Sequence, residues 1–140
     1  MKNDFILFTI GRINNKVNRF LDQELKKNGL GEISVSHGEI IALLMRKQPL
    51  KMKEIAVLID KDKSTITALV NKLIDLGFVE KKMDEIDSRI SLISLTKKGE
   101  ALIPAYIGIS EKLAIKAFSG ISKQEKEILN ILLEKLNKGM

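Results

Sequence analysis

The sequence predicts a mainly α-helical fold with one small β-hairpin, and three observations point there. Apolar residues recur at three- and four-residue spacing along most of the chain. In the middle, Lys51 to Gly77 reads as two short helices around a Lys/Asp-rich turn. Just after it, two short runs rich in apolar and β-branched residues flank a charged turn, DEIDSR.

The 140 residues suit one domain, 1–140, with a real core. Hydrophobic content of 44% and charged content of 30% are those of an ordinary globular chain rather than a disordered one. No apolar run approaches the roughly 20 residues that span a bilayer, and MKNDFILFTIGRINNK lacks a signal-peptide pattern. The expectation is a cytoplasmic protein with no membrane partner. Absence of cysteine excludes disulfides and thiolate metal sites, and a single histidine, His37, removes His-rich zinc sites and most His-based catalysis. No catalytic residue, metal site or cofactor is therefore expected, and the chain reads as a non-enzyme.

The net charge is +6, unevenly spread. Residues 46–98 carry 12 Lys/Arg against 8 Asp/Glu, whereas the other 87 residues carry 12 against 10. A basic centre between near-neutral flanks suits a polyanion, although a solvated lysine-rich surface gives the same excess.

The first element is an amphipathic helix from about Asp4 to Lys27, with Ile6, Ile10, Ile13, Val17, Phe20, Leu21 and Leu25 in register and Asn28-Gly29 as its stop. At about 1.5 Å per residue it is roughly 36 Å long, the length of a helix that packs on another long helix in the same chain or a second copy. Ser36-x-x-Glu39 has the capping-box pattern, so a second helix is expected to begin there and to stop before Pro49. Leu50 to Ile59 reads as a short helix with Met52, Ile55, Ala56 and Ile59 inward. Another helix begins at Asp62, an N-cap whose carboxylate suits the positive helix end, and Gly77 closes it.

That last helix puts Ile66, Leu69, Val70 and Leu73 on one side and Ser64, Thr67, Ala68, Asn71 and Asp75 on the other, flanked by Lys63 and Lys72. Its exposed face carries only small or polar side chains and fits a DNA major groove. Phe78–Met83 and Ile90–Leu95 are the hairpin strands; the adjacent Leu92 and Ile93 leave the register open. Thr96 caps a helix to about Phe118, which Pro104 should kink two turns in. Gly120 breaks the chain, and Ser122-x-x-Glu125 opens a last helix with a broad face of Ile128, Leu129, Ile131, Leu132, Leu133 and Leu136.

This order is a winged helix-turn-helix head flanked by long N- and C-terminal helices. On STITALVNKLIDLGFVEKK, the wing DEIDSR and the LTKKG after it, the chain resembles the MarR family of bacterial transcriptional regulators. The resemblance implies a homodimer, with 1–34 and 100–140 as the helical dimerisation region and 35–99 as the DNA-binding head. It implies double-stranded DNA as partner, with recognition helices in successive major grooves and wings in flanking minor grooves.

Candidate DNA contacts are then Lys63, Ser64, Thr65, Thr67, Ala68, Asn71 and Lys72 on the recognition helix, and Asp87, Ser88 and Arg89 on the wing. Arg89 is the minor-groove residue of that mapping, and Asp87 holds it or the nearby backbone. The reading face has no arginine, so only Asn71 can pair bidentately, with adenine; a pseudo-palindromic A·T-rich operator read partly by shape is expected. Glu85 and Ile86 stand where many members carry an arginine or a proline. The resemblance further implies a small anionic or lipophilic effector that relieves repression, in a cleft lined by Ile13, Val17, His37, Ile41 and Leu44. The alternative is a winged-helix module that binds another protein rather than an operator.

Overall fold

The computed structural model describes residues 4–140; residues 1–3 of the expected N-terminal arm lie outside the described residues. Helix α1 spans Asp4–Lys27. It stops where Gly29 takes φ +73°, a left-handed position that glycine adopts without a Cβ clash.

Helix α2 (Val35–Arg46) starts earlier than Ser36, because its N-cap is Ser34. The Ser34 amide donates to His37 Nδ1 (3.2 Å), and the Ser34 hydroxyl accepts from the His37 amide (3.3 Å). The imidazole thus takes the role that the sequence assigns to Glu39. An imidazole with an acceptor nitrogen three residues after a serine closes a capping box as a glutamate does, a substitution the Ser-x-x-Glu pattern does not search for.

A second correction follows. Leu50–Lys51 is a short strand, β1, and only Met52–Ile59 is helical (α3). A two-residue strand has no periodicity to detect; it forms because Leu50 lies opposite Ile93 across the sheet. After Asp60, left-handed at φ 58°, helix α4 (Lys63–Asp75) is capped by the Asp62 carboxylate, which accepts from the Thr65 amide at 2.7 Å.

Strands β2 (Val79–Met83) and β3 (Ser91–Leu95) pair antiparallel from Val79 opposite Leu95 to Met83 opposite Ser91. The three-stranded sheet has the order β1-β3-β2. Its register settles the Leu92–Ile93 ambiguity: Ile93 is fully buried and Leu92 only half so. The Gln48 side chain accepts from the Leu95 amide at 2.7 Å, completing the end of β3.

The expected kinked helix is two elements, α5 (Lys97–Glu100) and α6 (Ile103–Phe118). Pro104 sits in the first turn of α6, where its missing N–H costs no helical bond, so it starts a helix instead of bending one. Helix α7 (Lys123–Lys138) opens on the Ser122/Glu125 capping box.

Ile40, Ile41, Leu44, Leu50, Ile55, Ile66, Val70, Leu73 and Ile93 are fully buried and form one cluster with Ile33, Phe78, Val79 and Leu95. The core thus seats α2, α3 and α4 against the sheet. The chain divides into two compact units, the first running to Ile109 and the second being Ser110–Met140. In the first, α1 leaves Phe5, Ile6, Leu7, Phe8 and Ile13 exposed; in the second, α7 exposes its whole apolar face from Ile128 to Leu136.

Candidate nucleic-acid interface

Helix α4 is positioned from behind. Ile66, Val70 and Leu73 are fully buried, so the opposite face can only point out. On it Lys63, Ser64, Thr65, Ala68, Asn71 and Lys72 are exposed and Thr67 is half-buried. The seven side chains are not equally available. The Ser64 hydroxyl donates to Asp62 (2.9 Å) and the Thr67 hydroxyl to the Lys63 carbonyl (2.8 Å), so both protons are used inside the helix. Lys63, Asn71 and Lys72 make no side-chain hydrogen bond among the described residues and keep all their donors. The Thr65 amide, followed by the Thr65 and Ser64 hydroxyls, holds the Asp62 carboxyl below the usual carboxylate range. The cap therefore stays ionised, and its charge favours the helix N-terminus.

The wing is organised around one ion pair. Arg89 Nε donates to one Asp87 oxygen (3.0 Å) and Nη2 to the other (3.1 Å), while the Arg89 amide also donates to Asp87 (3.0 Å). Asp87 thus holds both the guanidinium and the backbone. The Arg89 side chain, with the Arg89 amide adding to it, pushes the Asp87 carboxyl down, and Asp87 pushes Arg89 up. The Arg89 side chain is 89% exposed, so the clamp fixes its direction without covering it. Ser88 is exposed beside it, and Ile86 is 96% exposed at the tip.

A feature that residue patterns alone did not reveal links the two parts. The Thr96 hydroxyl donates to the Gly77 carbonyl and accepts from the Gly99 amide (3.1 Å). Lys98 Nζ donates to the Leu76 carbonyl (2.7 Å) and lies 5.0 Å from the Phe78 ring centroid. The LTKKG segment therefore ties the C-terminal end of α4 to the base of the wing. Its glycine meets a close approach: a Cβ on Gly99 would lie 2.0 Å from the Phe78 carbonyl oxygen.

The five residues expected to line an effector cleft do not share one environment. Ile41 and Leu44 have no exposed surface and belong to the core; the sequence cannot tell an apolar cleft wall from a core face. Ile13 is 54% exposed on α1, and Val17 and His37 are half-buried. Burial first, then the Lys72 charge, lowers the pKa of His37, so it is neutral near pH 7 with Nδ1 as acceptor and the proton on Nε2. Among the described residues no group of His, Cys, Asp or Glu could hold a metal ion, and no helix is long and apolar enough to cross a membrane.

Residues 32–90 match the family model described as MarR family. The HTH-type transcriptional regulator BilQ of Clostridium symbiosum is 29% identical over 119 residues, covering 85% of this chain and 81% of BilQ. A MarR transcriptional regulator from Methanosarcina mazei Go1 superposes with a TM-score of 0.85 at 25% identity, covering 97% of this chain and 96% of that one. The Staphylococcus aureus MepR–DNA complex gives 0.85 at 22% identity, over 95% and 96% of the two chains.

Proposed function

We propose that this chain is a winged-helix transcriptional regulator of the MarR type, which binds double-stranded DNA as a homodimer and represses from a pseudo-palindromic A·T-rich operator. The observation that carries the reading is the division of α4, whose buried Ile66, Val70 and Leu73 leave an outward face of small and polar residues. Such a face admits the helix to a major groove, and Asn71 supplies a carboxamide able to pair bidentately with adenine. Lys63 and Lys72 suit phosphates, which position without specifying. Arg89, aimed by Asp87, suits the negative potential of a narrow A·T minor groove. MepR, a protein of this fold, has been crystallised on DNA.

One head presents few base-reading groups, so specificity requires two. The exposed apolar faces of α1 and of α7 suit assembly, with 1–34 and 100–140 as the dimerisation region and 35–99 as the head. A two-fold dimer reads half-sites about one helical turn, roughly 34 Å, apart. A small anionic or lipophilic effector that favours a dimer with a different head spacing would release the operator.

The test is selection of bound genomic fragments by the purified protein, then footprinting. A protected A·T-rich pseudo-palindrome of about two helical turns is expected. No protection on any fragment, or equal affinity for A·T- and G·C-rich half-sites, overturns the reading.

A further inference from the structure

The DNA-binding reading gives no role to the exposed Ile86, Val57 and Leu58, and the two surfaces that carry them are complementary. The first is the wing tip. Ile86 is 96% exposed there, among Asp84, Glu85 and Asp87 with Arg89 as the only cation of residues 84–89. Arg89 is already paired with Asp87, so the tip presents the sec-butyl group of Ile86 as an apolar knob with a net acidic rim.

The second lies between α3 and the start of α4. A groove of about 670 Å³ is lined by Lys53, Ala56, Val57, Asp60, Lys61 and Lys63. Val57 is 72% exposed in its wall and Leu58 beside it is 57% exposed. Three lysines face one aspartate, so this is an apolar floor with a net basic rim. A phosphate chain would satisfy the lysines but gives the valine and leucine nothing to pack on; an apolar knob with an acidic rim satisfies both.

We infer that the Ile86 wing tip of one copy docks in the α3–α4 groove of another, Ile86 on Val57 with Glu85 and Asp84 facing Lys61 and its neighbours. Knob and groove are different surfaces of the same head, so the contact is head-to-tail and builds a ring or a filament according to the rotation it imposes. Two heads per dimer give two knobs and two grooves, which raises the effective concentration of an individually weak contact. The contact draws on Lys63 and on the wing, which the proposed function assigns to DNA, so operator binding and self-association compete. The association itself does not rest on that reading and is tested without DNA.

The experiment is analytical ultracentrifugation of the full chain at low ionic strength, from micromolar to submillimolar concentration. The expected result is a mass that rises beyond the basal assembly and falls back when salt is added, as paired surface charges are screened. Glu85→Lys and Lys61→Glu should each weaken the association about tenfold. The doubly reversed chain should recover it, because its reversed tips meet reversed grooves. Ile86→Ser should weaken it with little change in salt dependence. Circular dichroism melting checks that each variant is folded, which is expected because Glu85 and Ile86 are exposed and Lys61 is only half-buried. A mass that is constant across concentration overturns the inference and leaves the groove to another partner. So does a double reversal no better than the single ones.

Discussion

Replacing Gly99 by alanine tests whether the link between reading helix and wing is as rigid as its geometry implies. The new Cβ would meet the Phe78 carbonyl oxygen at 2.0 Å, its carbon at 3.0 Å and Leu95 Cδ2 at 3.2 Å. The Leu95 methyl can rotate away; the Phe78 carbonyl cannot, because it accepts the Thr96 amide at 3.1 Å. Reaching ordinary contact therefore requires α5 and the start of β2 to separate by more than about 1 Å. That movement stretches the Thr96–Gly77 and Lys98–Leu76 hydrogen bonds as well.

Overpacking of this kind costs about 1–3 kcal/mol, and each weakened hydrogen bond adds about 0.5–1.5 kcal/mol. The terms overlap because one displacement causes them all, so about 3 kcal/mol is the expected total. With an unfolding entropy of about 2.1 cal/mol/K per residue, this lowers the melting temperature by roughly 10 °C. Thermal denaturation at fixed protein concentration measures it. Gly120→Ala, where a Cβ meets nothing within 4 Å, is the control and should shift melting little. If Gly99→Ala melts with wild type, the close approach is not a constraint and the lock on the wing fails with it.

Asn71→Ala should relax discrimination inside the half-site by about 1–3 kcal/mol while leaving overall salt dependence unchanged, read by competition binding with base-substituted duplexes. Arg89→Ala should cost more affinity at A·T than at G·C flanks, and Asp87→Ala should reproduce part of that loss because it frees the guanidinium it now aims. Leu132→Glu, on the exposed apolar face of α7, should lower the mass seen by light scattering; an unchanged mass would remove α7 from the dimer interface. His37 gives a pH dependence of defined sign. Its folded pKa lies below 6.5, so the unfolded chain binds the proton first and stability, complete above about pH 6.5, falls as pH drops towards the folded pKa. As the one histidine of the chain, it gives a single imidazole resonance whose titration midpoint should lie below 6.5, and His37→Gln should flatten the acid side of the stability curve.

Much of the fold was legible because it rests on periodicity and caps. Asp4–Lys27 and the α4 start at Asp62 followed from spacing and N-cap chemistry, both local properties of the chain. The errors fall where a distant partner decides. Leu50–Lys51 is strand only because β3 lies beside it, and α5 parts from α6 at Ala101–Leu102, ahead of the proline that seemed to mark the bend. His37 closes a capping box because its ring nitrogen can do what a carboxylate does, and a pattern written in Glu and Gln does not contain it.

The candidate site divides along the same line. Which residues of α4 face outward could be read from a helical wheel, but which of them retain a hydrogen to donate could not. Ser64 and Thr67 look like Asn71 in the sequence, yet their hydroxyls are already committed to Asp62 and the Lys63 carbonyl. For either to read a base as a donor, a helix-internal bond must first break, whereas Asn71 reads at no such cost. The wing shows the converse. Asp87 looks like an electrostatic liability beside phosphates, but its three bonds to Arg89 exchange one negative charge for a guanidinium held in one direction. Because that pair leaves the Arg89 side chain 89% exposed, the aim is set before DNA arrives, and the entropy of ordering a long side chain is lost on folding instead of on binding.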